Sequence, residues 1–151
     1  MRGRLRNNAT DGEGDELPHY PENSTYFSIK VYHGGSLNEN CTEYVGGMVS
    51  YFDMCNGKGL NMFEMEAMLS ELGIAKGTYY LYLGVPGSTL PDGLVPLNLP
   101  SDIDIMTELV IYSRLQCIYC CPGGHGGDQD YTDFSFTQLL MDQKAIGKQP
   151  K

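Results

Sequence analysis

The first clear order in the chain is an alternation. Phe27, Ile29 and Val31 are apolar and Ser28, Lys30 and Tyr32 are polar or half-polar, so a pleated strand puts the two sets on opposite faces. A strand is expected over 26–32. His33-Gly34-Gly35 ends it, since paired glycines reach the positive φ of a turn. A second β-rich run covers 44–52. Its internal Gly46-Gly47 predicts a bulge or a close backbone approach. The opening unit is therefore a hairpin.

The period then changes. Met62, Met65, Met68, Leu69 and Leu72 recur at helical spacing and predict a helix over 62–72. Asn61 is its N-cap, Glu64 stands at the capping-box position and Gly73 stops it. A Met-rich stripe also suits an adaptable groove, but the expectation is that it faces the core. A third strand follows over 78–83. Turn chemistry at 84–87 and 91–93 leads to a short strand over 94–97, whose Pro96 marks an edge or a strand end. Ser101 caps a brief helix over 102–109 with acidic residues in its first turn. The last β-run is 115–120. Beyond Pro122 the chain is Gly-rich, with a marginal helix at best around 136–145.

Residues 1–24 are polar and lack periodicity, which reads as a flexible tail. The boundaries are thus a tail over 1–24, one domain over 25–121 and a second tail over 122–151. The element order predicts an α+β fold of the β-grasp (ubiquitin-like) type. Its mixed sheet has about five short strands, with one main helix and one short helix.

Composition narrows the function. The chain has 151 residues, enough for one domain with tails, and a hydrophobic share of 41%, enough for an ordinary core. Its net charge of −9 repels phosphate backbones. Arg2, Arg4 and Arg6 are followed by Asp11, Glu13, Asp15 and Glu16, so that basic start reads as solvated tail. No apolar run has the length of a secretory signal or a membrane span. Five cysteines without an export signal favour reduced thiols, hence nucleus or cytoplasm, and leave the three N-glycosylation sequons without consequence.

Six segments in order resemble a known domain. They are Phe27-Ser28-Ile29-Lys30-Val31-Tyr32-His33-Gly34-Gly35, Tyr44-Val45-Gly46-Gly47, Tyr51-Phe52-Asp53, residues 64–73, Gly93-Leu94-Val95-Pro96-Leu97, and Ser101-Asp102-Ile103-Asp104-Ile105-Met106. Over residues 26–121 the chain is similar to the plant PB1-like domain, a relative of the Phox-and-Bem interaction domain found at the front of Mutator-like transposases. The resemblance implies a non-catalytic protein-interaction module that docks a like domain or itself. It implies a basic residue on the first strand, here Lys30, and an acidic patch, here Asp92, Asp102, Asp104 and Glu108. The dense acidic-glycine stretch of that patch is reduced to Asp92-Gly93. Residues 26–121 carry four Lys and Arg against ten Asp and Glu, a net of −6, so the acidic half is the better furnished. Asp102 and Asp104 also simply suit a helix start, and Lys30 a solvated strand position; both roles are compatible with docking.

A rival chemistry sits at the far end. Cys117, Cys120 and His125 copy the first three ligands of a zinc knuckle, but Asp130 stands where the fourth should be. In the last strand Cys117 and Cys120 would face opposite sides, and Asp128, Asp130 and Asp133 would crowd a nucleic acid. The alternatives are thus a nucleic-acid fragment with a degenerate knuckle, or a transposase-gene relic without selected function. No nucleophile constellation, phosphate loop or convergent carboxylate pair is present. No enzyme activity, cofactor, metal, small-molecule substrate or membrane partner is expected.

Overall fold

The computed structural model describes residues 3–6 and 14–123. Three sequence expectations lie outside them: the helix over 136–145, the His125 position and most of the C-terminal tail.

Six strands form one mixed sheet: β1 (Arg4–Leu5), β2 (Tyr26–Leu37), β3 (Tyr44–Asn56), β4 (Tyr79–Gly84), β5 (Leu94–Pro96) and β6 (Leu115–Pro122). Their order is β1-β3-β2-β6-β4-β5. β2 pairs antiparallel with β3 and parallel with β6, and β4 pairs antiparallel with both β5 and β6. The helices are α1 (Met62–Glu71) and α2 (Pro100–Glu108), followed by a 3-10 turn over Leu109–Ile111. Setting aside the two-residue β1, this is the β-grasp arrangement expected from the element order.

The alternation in β2 works as the pattern implies. Phe27, Ile29 and Val31 are buried in the main core with Phe52, Leu81, Leu83 and Ile118 from neighbouring strands. α1 adds Met65, Met68 and Leu69, and α2 adds Ile103 and Met106. The methionine stripe of α1 is therefore core, with Met62 and Leu72 at its margin. Asn61 caps α1, its side-chain oxygen accepting from Glu64 N at 2.9 Å.

Four details differ from the pattern. The hairpin strands continue to Leu37 and from Tyr44, so Gly34-Gly35 lies within β2 and residues 38–43 make the turn. Gly46-Gly47 is a close approach rather than a bulge: a Cβ on Gly47 would collide with His33 O, and one on Gly35 with Val45 O. The register shift falls instead between Phe27 and Ile29, opposite Met54, which has φ 61. α2 begins one residue before Ser101, with Pro100 in its first turn and no side-chain cap from Leu99.

The N-terminal segment departs most from a tail. Arg4 and Leu5 pair with Asp53 and Phe52, making β1 an added edge strand. Leu5 reaches the core margin, and Arg6 is buried.

Since α1 is anchored by its stripe, Leu69→Ala should cost ~2–5 kcal/mol in urea denaturation. Ile111→Ala, at a side chain 81% exposed, should change stability by less than about 0.5 kcal/mol. Equal effects would contradict the placement of α1.

Candidate interaction site

Both helices cover one face of the sheet, and the other face carries the even-numbered residues of β2: Ser28, Lys30 and Tyr32. At one end lies a buried ion pair. Asp53 takes Arg6 in a bidentate grip, Nε to Oδ2 at 2.8 Å and Nη2 to Oδ1 at 2.7 Å. Asp53 Oδ1 also accepts from Ser28 Oγ at 2.6 Å. The Arg6 guanidinium lies 4.3 Å from the Tyr51 ring centroid and donates to Gly14 O at 2.8 Å. Asp is disfavoured inside a strand, and a buried carboxylate needs charged and polar partners. Here Arg6, just after β1, and Ser28 of β2 supply them.

Lys30 comes next along β2, facing Tyr51 of β3 and Cys117 of β6. Its side chain is only 15% exposed, and Nζ is 2.9 Å from Asp15 Oδ1. The same Asp15 oxygen accepts from Tyr51 OH at 2.6 Å. The Tyr32 and Tyr51 rings lie 5.1 and 6.0 Å from Nζ and wall the site. Burial works against the charge on Lys30, but hydrogen bonds to Asp15 and Tyr32 outweigh it and raise the pKa. Tyr51 is pushed up to about 12 by burial and the Asp15 bond, so its hydroxyl remains a donor.

Beyond Lys30 the face becomes aromatic. Tyr32 stacks on its cross-strand partner Tyr119, with centroids 4.7 Å apart and planes 12° apart. Tyr44 tilts against both rings. Its hydroxyl accepts from Gly35 N at 2.9 Å and donates to Cys120 O at 2.6 Å, joining β2 to β6 past their last paired residues.

The acidic candidates lie elsewhere. α2 packs its Ile103 and Met106 into the core on the helix-covered face, so its outer side points away from Lys30. Asp102 is committed to the backbone: Oδ2 accepts from Asn98 N at 2.9 Å and Leu99 N at 2.8 Å, as the third helical residue of a capping box does. Asp104 and Glu108, four apart, share the exposed side of α2 with Ile105. Ile111, in the 3-10 turn, and Tyr112, just after it, are 81% and 74% exposed. Asp92 is exposed in the loop before β5. The structure thus groups Asp104 and Glu108, and sets Lys30 on the opposite face.

The cysteines do not converge. On β6, Cys117 lies on the Lys30 face and Cys120 in the main core. Burial raises the Cys117 thiol and pushes Cys120 up to about 12 and Cys121 up to about 11. Thiols held protonated at neutral pH are poor nucleophiles. Among the described residues no helix is long and apolar enough to cross a membrane.

The family profile of the PB1-like domain matches residues 23–120. The chain belongs to the PB1-like domain family. PB1-like domains mediate protein–protein interaction, and the match spans β2 to Cys120 of β6, including Lys30 and all of α2. No curated protein and no solved structure gives a significant match. In this PB1-like domain three features of the candidate site are not evident from residue pattern alone: the Arg6–Asp53 pair, the Asp15 carboxylate on Lys30, and Ile105 beside Asp104 and Glu108. The first left a signal. Arg4-Leu5-Arg6 alternates at strand period, and Asp53 in mid-strand calls for a buried cation.

The two contacts of the helix-free face should respond differently to substitution. Asp53→Ala leaves Arg6 buried without its carboxylate and should cost ~3–5 kcal/mol. Asp15 is 59% exposed, so Asp15→Asn should cost less than about 1 kcal/mol. Hydrogen bonds from Tyr51 and Lys30 hold the Asp15 carboxyl below its unfolded value of 3.8. Its contribution is therefore complete above the unfolded value and lost as pH falls through the folded one. The urea-midpoint difference between wild type and Asp15→Asn should be constant above about pH 5 and shrink toward pH ~3. A difference that grew on acidification would contradict the contact.

Proposed function

We propose that this PB1-like domain is a non-catalytic docking module whose Lys30 face receives the acidic side of α2 from a like domain, including a second copy. Asp104 and Glu108 form the centre of the acidic side, with Asp92 and Asp102 at its margins. The observation that carries this reading is the placement of Lys30 and α2 on opposite sides of one sheet. One copy can then offer an acceptor on one side and a donor on the other. Such head-to-tail contacts extend into rings or chains rather than closing as a two-fold dimer.

Charge would set specificity and on-rate. Ile105, on the exposed side of α2, would supply desolvated area beside the charges that an interface centre needs. The five cysteines are free, in keeping with work in a reducing compartment such as the nucleus or cytoplasm.

Sedimentation velocity over a concentration series tests the docking. Lys30→Ala and Asp104→Asn/Glu108→Gln should each weaken self-association several-fold, and salt should weaken the wild type more than either variant. Association unchanged by salt and by both variants would contradict charge docking. The uncharged variants leave Asp102 and its backbone bonds in place.

A further inference from the structure

Lys30 and Tyr51 do not face open solvent: they already hold a carboxylate, and it belongs to the same chain. We propose that Lys30 Nζ and Tyr51 OH, between the Tyr32 and Tyr51 rings, form a carboxylate-binding site for a partner's acidic side chain, and that Asp15 occupies it in the unbound molecule as a replaceable internal ligand. This rests on the docking reading above and adds to it the atoms of the receiving site and its regulation.

Burial is asymmetric across the contact. The receiving side is built into the sheet: Lys30 is 15% exposed, and Tyr51 is buried. The occupant is 59% exposed. The donors are held by the sheet, whereas their occupant stands largely in solvent. A charged donor and a hydroxyl donor aimed at one oxygen form a charge-assisted pair of bonds suited to a carboxylate.

The segment bearing Asp15 is anchored independently on both sides. Before it, Arg6 is locked to Asp53 and donates to Gly14 O. After it, the Tyr20 hydroxyl lies 2.7 Å from Ser28 Oγ and accepts from Met54 N at 2.9 Å. Asp15 can thus leave its site without release of the segment. The anchors also keep its carboxylate at high local concentration, so a partner must compete with it.

An exposed ion pair is weak, so the competition is modest. Where only the open fraction binds, apparent affinity falls by that fraction. Asp15→Asn should tighten Lys30-dependent self-association by about twofold to fivefold.

Two readouts on the full chain test this. Acetylation of Lys30 by an N-hydroxysuccinimide ester, followed by mass spectrometry, reports the internal contact with no partner present. Sedimentation velocity of wild type, Asp15→Asn, Lys30→Ala and the double variant reports docking. The expected result is faster Lys30 acetylation in Asp15→Asn, together with tighter association that the double variant loses. Unchanged acetylation would overturn the inference while leaving docking intact. Faster acetylation with unaltered association, where Lys30→Ala alone still weakens it, would show that Asp15 does not compete and would also overturn it. Association indifferent to Lys30→Ala would remove the docking reading and this inference with it.

Discussion

β2 runs down the middle of the sheet, bonded to β3 on one side and to β6 on the other, so its alternation decides both faces together. Phe27, Ile29 and Val31 supply the floor on which α1 and α2 sit. Ser28, Lys30 and Tyr32 supply a hydrogen-bond donor to Asp53, the cation and the aromatic stack of the opposite face. A one-residue slip would exchange these sets and bury the ammonium in the core. Close backbone approach at Gly35 and Gly47 helps hold the register, because a side chain there would force the hairpin apart.

That constraint explains why the fold was largely legible. Period-2 and period-3.6 patterns over residues 26–121 respond to the same core the structure contains, so element type and order could be read from them. Boundaries moved where the competing force was tertiary. The glycine pair at 34–35 resembles a turn locally, yet it continues β2 because Gly35 and Gly47 allow the two strands to come close. Arg6 escaped because polarity alone reads as solvated tail. Only the folded chain brings a buried carboxylate to it, 47 residues away in sequence.

The charges also divide by use. Asp53 and Arg6 neutralise each other in the interior, and Arg114 ties the lead-in segment to the start of β6 through carbonyls of Pro21, Glu22 and Tyr26. Asp102 is spent on the start of α2. Among the proposed acidic contacts, Asp104 and Glu108 lie on an exposed helix side beside Ile105. Sequence could name all these residues but could not sort them, since sorting depends on which backbone groups and faces each carboxylate meets.

In the proposed docking the two sides of one sheet are complementary. The most direct test mixes two variants with opposite defects: Lys30→Ala, which retains the acidic side, and Asp104→Asn/Glu108→Gln, which retains the basic face. Each alone should sediment as a monomer at concentrations where the wild type associates. Their mixture should form a complex that stops at one copy of each, because each contributes a single intact side. A mixture that sediments as two independent monomers while the wild type associates would contradict complementary docking of the two sides.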